Sequence, residues 1–146
     1  MIYLDTIVIV PLIVPETTSS RARSWFDRLD FRNTKDLAVS AWVLTEFTSA
    51  MGIKVRNRDI SGSQGEAARA LLEDALLPNM TVVEVTPKDF RLAETMLREF
   101  SLGLRDGDAL HLATASRCEA QLFVSLDRKL CKVAEAVGLP VASISN

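Results

Sequence analysis

The sequence is poor in the side chains that build disulfides and soft-metal sites, with two cysteines, Cys118 and Cys131, and a single histidine, His111. With no sign of an export signal, we expect these two thiols to be reduced rather than joined in a structural disulfide. The same three side chains are too few for a four-coordinate zinc site unless acids complete it. The sequence therefore gives little support to a disulfide scaffold or a zinc centre.

Long hydrophobic runs are also missing. The longest apolar stretch, Ile7 to Val14, is interrupted by Pro11 and is far shorter than the roughly 20 residues that cross a bilayer. The first residues, Met1 to Asp5, show neither a basic region nor a small-residue cleavage site. We expect no membrane span and no secretory signal, and hence a cytoplasmic protein.

Neither sign of charge is in large excess. Seventeen basic and nineteen acidic residues give a net charge of −2, which by itself does not indicate a nucleic-acid partner. Hydrophobic residues make up 48% and charged residues 25% of the chain, which is typical of a globular protein. Because 146 residues suffice for one core but hardly for two, we predict a single domain spanning residues 1–146.

Short apolar runs alternate with segments of helical spacing along the whole chain. The runs typical of strands are residues 2–4, 37–39, 81–85, 122–126 and 140–144. The segments typical of helices are residues 20–29, 42–54, 64–77, 87–100, 108–115 and 127–137. Because crossover helices impose parallel strands, the alternation predicts an α/β fold. We expect a three-layer α/β/α sandwich with a central parallel sheet of four to five strands.

Four carboxylates are the most informative residues, because each follows an apolar strand or lies at the head of an apolar helix. They are Asp5, Glu46, Asp108 and Asp127. Open parallel sheets bind ligands outside the carboxyl ends of their strands, so acids at these positions would meet in one pocket. Carboxylate oxygens that leave positions for water suit Mg²⁺ or Mn²⁺. The pattern indicates a divalent-cation site.

Each of these acids also has a purely structural interpretation. Asp5 could be a turn residue, and Asp127 could cap the following helix. Glu46 would border the apolar arc that contains Phe47, where a carboxylate is costly to bury unless it finds a cation or hydrogen-bond donors. The convergence of all four acids therefore carries more weight than any one of them.

The choice between Asp106 and Asp108 depends on where the helix begins. Asp108 is preferred because it heads the apolar helix, whereas Asp106 is expected to precede that helix. A helix start also favours an acid through its dipole, which is the structural alternative for Asp108. Ser125 lies two residues before Asp127, on the same face of the predicted strand, so the pair could hold a metal-bound water.

The chain resembles the PIN-domain nucleases, and more narrowly the VapC toxins of bacterial toxin–antitoxin pairs. The resemblance covers essentially the whole chain and is carried by Leu4-Asp5-Thr6, Glu46, Gly107 to Ala113 and Ser125-Leu126-Asp127. It implies that Asp5, Glu46 and Asp108 are the core acids around Mg²⁺ or Mn²⁺ and that Asp127 is a more variable fourth ligand. It also implies that Ser125 is the hydroxyl residue of the family's last motif.

One position departs from the family pattern. The family usually has Ser or Asn two positions after the first aspartate, and this chain has Ile7. A hydrogen bond that orients a ligand is then expected to be missing, and such bonds tune metal affinity.

The resemblance and the acids together predict a metal-dependent endoribonuclease. Asp5, Glu46 and Asp108 would bind the cation, and Asp127 would position a water. The basic residues expected to guide the RNA backbone are Arg56, Arg58 and Arg128. The resemblance also implies a VapB-type antitoxin and a homodimer. His111 is expected to be structural, on the polar side of its helix with Thr114 and Cys118.

Three alternatives remain open. An acid-pocket phosphatase or phosphotransferase of the haloacid dehalogenase type would carry a second aspartate where Ile7 stands. A catalytically degenerate PIN fold that acts as a binding module would also accommodate Ile7. A receiver-like phosphoacceptor module is the weakest alternative, since it needs a paired acid early in the chain.

Overall fold

The structure, a computed structural model, describes residues 1–28 and 36–144. Within these residues five parallel strands form one sheet: β1 Ile2–Leu4, β2 Leu37–Ser40, β3 Thr81–Val83, β4 Leu122–Ser125 and β5 Val141–Ser143. Their spatial order is β3-β2-β1-β4-β5. The chain builds outward from β1 to β3 and then returns to β4, so the strand order reverses between β1 and β4. In open parallel sheets, ligands bind outside the strand ends at such a reversal.

Helices flank both faces of the sheet. The helices in the described residues are α1 Thr6–Ile13, α2 Ser19–Asp27, α3 Trp42–Arg56, α4 Gly62–Leu71, α5 Pro87–Leu97, α6 Asp106–Arg117 and α7 Arg128–Ala136. Shorter segments are a π-helical turn, Leu72–Leu76, and two 3₁₀ turns, Leu77–Asn79 and Phe100–Leu102. None of these helices combines the length and the apolar character needed to cross a membrane.

The hydrophobic core is divided by the sheet. Neighbouring strand residues point to opposite faces, so Leu4 packs with α1 and α3 in one buried cluster while Tyr3 packs with α6 and α7 in another. The same alternation separates Val124 from Phe123 on β4. This arrangement confirms the predicted three-layer α/β/α fold and its parallel sheet.

Several predicted element boundaries differ from the observed ones. Helix α6 begins at Asp106, after Arg105 in an extended conformation, so the prediction that Asp106 precedes the helix was wrong. Gly107 is the second residue of this helix and so does not mark its boundary. The strand predicted over residues 37–39 extends one residue further, to Ser40. Leu29, predicted to end the helix over residues 20–29, lies outside the described residues.

Candidate metal centre

A pocket of about 600 Å³ lies at the carboxyl ends of β1 and β4. The structure places all four singled-out acids in its lining: Asp5, Glu46, Asp108 and Asp127. Asp5 follows β1 directly and Asp127 follows β4 after one residue, whereas α3 and α6 carry the other two acids. Four stretches that are distant in sequence thus bring carboxylates to one concave surface.

Asp5 is almost fully buried and is held from beneath by Ser125. The Ser125 hydroxyl donates to Asp5 Oδ2 at 2.7 Å, and the backbone N–H of Asp127 donates to the Ser125 oxygen at 3.0 Å. Ser125 is itself fully buried, and its hydroxyl hydrogen is directed at Asp5. Burial raises the pKa of Asp5, although the neighbouring His111 and the Ser125 hydrogen bond oppose that shift.

Ile7 occupies the position where the resemblance led us to expect a polar residue. Its side chain is 43% exposed and lines the pocket. It offers no side-chain hydrogen bond, so the hydroxyl that steadies Asp5 comes from Ser125 on the neighbouring strand.

Glu46 is held by donors from two different helices. Its Oε2 accepts a hydrogen bond from the Thr6 hydroxyl and lies 2.6 Å from His111 Nε2. Its other oxygen, Oε1, is turned toward Gly107, where a Cβ atom would come within 2.7 Å of it. Burial would raise the pKa of Glu46, but the contacts with His111 and Thr6 outweigh burial and lower it. Glu46 is therefore an ionised carboxylate with a fixed orientation.

His111 is part of this site, and the prediction that it lies on a polar helix face was wrong. It is 1% exposed, and Thr114 on the next turn is fully buried. Residues 109–115 are all buried, because α5 covers one side of α6 and the sheet covers the other. Burial tends to lower the pKa of His111, but the hydrogen bond to Glu46 and the charge of Asp5 raise it overall.

The spacing between Asp108 and His111 is a sequence signal for this position of the histidine. Residues three apart on a helix lie side by side, so a histidine three positions after Asp108 was placed near the acids from the start. Thr6 carried a weaker signal, as a polar residue between Asp5 and an apolar helix.

Asp108 and Asp106 differ clearly in their surroundings. Asp108 is half-buried in the pocket lining, whereas Asp106 is exposed and is not among the lining residues. Burial and the negative charges of Asp5 and Asp127 raise the pKa of Asp108. A carboxyl group whose neighbours disfavour its charge is one that a bound cation would relieve.

Asp127 caps α7 as well as lining the pocket. Its Oδ1 accepts from the backbone N–H groups of Lys129 at 2.7 Å and Leu130 at 3.1 Å. Capping thus engages one carboxylate oxygen of Asp127, and the same residue also lines the pocket.

The cations that line the pocket differ from the three that the sequence suggested as guides for an RNA backbone. They are Lys54, Arg105 and Lys129, whereas Arg56, Arg58 and Arg128 are not among the described residues of the lining. A helix turns by roughly 100° per residue, so Arg56 points away from the side of α3 that carries Lys54. Lys54 pairs with Glu16 at 2.5 Å, while Arg105 is exposed at the start of α6.

The donor set fits a hard divalent cation. Ligand atoms of Asp5, Glu46 and His111 all lie within 4.8 Å of one another, and Asp108 and Asp127 line the same pocket. Carboxylate oxygens with room for water are the surroundings that Mg²⁺ and Mn²⁺ prefer.

Comparison with known proteins places this geometry in a family. Residues 2–136 match the family model described as the PIN domain. Ribonuclease VapC47 of Mycobacterium tuberculosis is 30% identical over 145 residues, which cover 98% of this chain and 96% of that protein. The crystal structure of FitAcB from Neisseria gonorrhoeae superposes with a TM-score of 0.74 at 19% identity, covering 99% of this chain and 98% of the other. VapBC2 from Rickettsia felis, bound to a DNA fragment from its promoter, superposes with a TM-score of 0.66 at 17% identity over 98% of both chains. The chain belongs to the PIN-domain family.

Proposed function

We propose that this protein is a metal-dependent endoribonuclease of the VapC type, which hydrolyses RNA phosphodiester bonds with Mg²⁺ or Mn²⁺ in the acidic pocket. The observation that carries the proposal is the presence of Asp5, Glu46, Asp108 and Asp127 around one pocket in a chain of the PIN-domain family. The name of the relative VapC47, a ribonuclease, supports RNA as the substrate.

The acids share the task of holding the cation. Asp5, fixed by Ser125, and Glu46, fixed by Thr6 and His111, provide oxygens whose positions are set before binding. Asp108 adds a third carboxylate from the start of α6. When bound, a divalent cation supplies an activated water and relieves charge on the phosphate, so no nucleophilic side chain is required.

Asp127 and the basic residues act around this centre. One oxygen of Asp127 is committed to capping α7, so we assign its carboxylate to positioning water rather than to the innermost ligand set. Lys54, Arg105 and Lys129 line the pocket and would neutralise backbone phosphates on either side of the scissile bond.

The partners we propose are a VapB-type antitoxin and a second copy of this chain. The support is the likeness to a solved VapBC assembly from Rickettsia felis. Co-expression with the upstream reading frame, followed by size-exclusion chromatography, tests both partners.

A matched pair of aspartates on one helix gives the sharpest test of the proposed function. Asp108→Asn and Asp106→Asn are the same chemical change two residues apart, but only Asp108 lines the pocket. We expect Asp108→Asn and Asp5→Asn to lower Mn²⁺-dependent cleavage of a mixed RNA substrate by more than about 100-fold, beyond the loss typical of an outer partner. Asp106→Asn should cleave at the original rate.

Two results would overturn the proposed function. If folded Asp5→Asn protein cut RNA as fast as the unchanged protein, the pocket would not be the catalytic site. If the unchanged protein bound no Mn²⁺ and left RNA intact, the binding-module alternative suggested by Ile7 would be favoured instead.

A further inference from the structure

His111 lies within metal-coordinating reach of the two most constrained acids. Its Nε2 is 2.6 Å from Glu46 Oε2 and 3.7 Å from Asp5 Oδ1. Distance alone would make His111 a ligand together with Asp5 and Glu46. The hydrogen bonds around the imidazole ring indicate a different role.

The contact between His111 and Glu46 fixes where a ring hydrogen lies. An ionised carboxylate oxygen is only an acceptor, so a nitrogen held 2.6 Å away from it must carry a hydrogen. A ring nitrogen that carries a hydrogen has no lone pair left for a metal. His111 Nε2 therefore donates to Glu46.

The opposite side of the imidazole ring contacts Tyr3. His111 Nδ1 lies 2.9 Å from the hydroxyl of Tyr3, which can donate to it. Tyr3 is fully buried and stacks on Phe123, with ring centroids 5.8 Å apart. The Tyr3 hydroxyl thus has a fixed position behind the imidazole.

The two hydrogen bonds to Glu46 both engage the same one of its oxygens. The Thr6 hydroxyl and His111 Nε2 both hold Oε2. Oε1 is turned toward Gly107, the residue before Asp108. The oxygen not held by His111 and Thr6 is therefore on the side of the third acid.

We propose that His111 is a positioning residue that orients the Glu46 carboxylate through a Tyr3–His111–Glu46 chain of hydrogen bonds, and that it does not coordinate the cation. This inference rests on the proposed function, because it concerns the same cation site. It assigns ligation to carboxylate oxygens alone, which is a donor set suited to Mg²⁺ or Mn²⁺.

The first experiment uses the metal-free protein. Long-range ¹H–¹⁵N NMR of histidine-labelled protein distinguishes the two ring nitrogens, and His111 is the single histidine. We expect the hydrogen on Nε2. A hydrogen on Nδ1 alone would overturn the inference, whether or not the protein proves to be a nuclease.

The second experiment uses the Mn²⁺-loaded protein. Pulsed electron paramagnetic resonance detects a strong ¹⁴N coupling when an imidazole nitrogen coordinates Mn²⁺, and we expect none. Such a coupling in the unchanged protein, lost in His111→Gln, would show direct ligation and refute the inference.

Variants separate positioning from general packing. His111→Leu removes the donor and should weaken Mn²⁺ binding by about 10- to 100-fold, the usual cost of losing an orienting partner. His111→Gln keeps an N–H donor and should recover most of that loss. Equal Mn²⁺ affinities of the Leu and Gln variants would contradict a positioning role for His111. The control is Thr114→Val, a buried change one turn further along α6 whose hydroxyl has no hydrogen-bond partner in the described residues. It should leave Mn²⁺ affinity unchanged.

A second variant covers the case in which His111→Leu does not fold. Tyr3→Phe retains the stacked ring and removes only the hydroxyl that faces Nδ1. We expect the folded variant to bind Mn²⁺ more weakly than the unchanged protein. If Tyr3→Phe bound Mn²⁺ with unchanged affinity and the hydrogen stayed on His111 Nε2, the hydrogen bond from Tyr3 would have no part in positioning Glu46.

Discussion

Gly107 shows at the residue scale how a missing side chain can shape the site. An ideal Cβ at this position would lie 2.7 Å from Glu46 Oε1, which is closer than real contacts allow. The atom that must move is the end of a flexible side chain, so the helix itself can tolerate alanine. The cost would fall on the orientation of the Glu46 carboxylate and not on the fold.

We therefore predict that Gly107→Ala separates stability from activity. Alanine is favoured over glycine in helices by up to about 1 kcal/mol, so the free energy of unfolding should stay level or rise by that amount. Mn²⁺ affinity and RNA cleavage should both fall. The control is Gly62→Ala at the start of α4, where an added Cβ meets nothing within 4 Å. A Gly107→Ala variant that cleaves RNA at the original rate would show that Glu46 has other workable positions.

Arg105 and Arg128 provide a second residue-scale comparison. Arg105 lines the pocket, whereas Arg128, which the sequence suggested as an RNA contact, is not in the described lining. We predict that Arg105→Ala weakens RNA binding and reduces the slope of log affinity against log salt by about one. Arg128→Ala should change neither quantity. RNA binding measured from low to moderate salt checks this prediction. If Arg128→Ala weakened RNA binding and Arg105→Ala did not, Arg128 would be the RNA contact, as suggested from the sequence.

The acids could be identified from the sequence because strand ends and helix starts are local features. Asp5 follows β1 at once, so its place at the sheet edge depends on only a few residues. The hydrogen bonds around the acids could not be found in this way. Tyr3, Thr6 and His111 become partners only when β1, α1 and α6 are packed together, and no local pattern states which helix faces which strand.

At the scale of elements, α5 and α6 are joined by an ion pair between the buried Asp89 and the exposed Arg117. Arg117 Nε lies 2.5 Å from Asp89 Oδ1, and the Arg117 guanidinium also donates to the Glu84 carbonyl at 2.8 Å. Asp89 Oδ2 accepts from the backbone N–H of Thr86 at 2.7 Å. Burial would raise the pKa of Asp89, but the contacts with Arg117 and Thr86 outweigh burial and lower it.

We predict that Arg117→Leu destabilises the protein at pH 7 by about 2–3 kcal/mol, because it removes a hydrogen-bond partner from a buried charge. A carboxyl group with a depressed folded-state pKa stabilises the fold above its unfolded pKa, and that contribution is lost as the pH falls through the folded-state pKa. The difference between variant and unchanged protein should therefore shrink below about pH 4. Urea unfolding at several pH values measures this difference in the free energy of unfolding.

The control for the ion pair lies on α5 itself. Arg98 pairs with Glu94 at 2.7 Å, but both side chains are largely exposed. Arg98→Leu should cost less than about 1 kcal/mol. Equal losses in the Arg117 and Arg98 variants would mean that burial of Asp89 contributes nothing.

The elements themselves were largely predictable, and their boundaries were not. Alternating apolar runs and helical spacing located the five strands of the described sheet. The start of α6 was misplaced by two residues, because the apolar spacing begins only at Asp108. Helix starts depend on the backbone conformation of the preceding residue, here the extended Arg105, which the sequence specifies weakly.

At the scale of the whole molecule, charge links the site to its substrate. The net charge is −2, and one bound divalent cation would bring it to zero. A bound cation therefore leaves a molecule that no longer repels a polyanion. The sequence supplied this estimate, but only the structure places Lys54, Arg105 and Lys129 beside the acids.

We predict that Mn²⁺ stabilises the folded protein. A ligand that binds only the folded state contributes about 2.7 kcal/mol when its concentration is one hundred times its dissociation constant. The melting temperature of the unchanged protein should rise accordingly with added Mn²⁺, and that of Asp5→Asn should not. An equal rise in both proteins would indicate that Mn²⁺ binds elsewhere.

The most direct measurement of the central claim is the anomalous scattering of manganese in crystals of the unchanged protein grown or soaked with Mn²⁺. We expect an anomalous peak in the pocket, within coordinating distance of carboxylate oxygens of Asp5, Glu46 and Asp108, with no peak against His111 Nε2. Crystals of protein that cleaves RNA in Mn²⁺ but shows no manganese at these acids would contradict it.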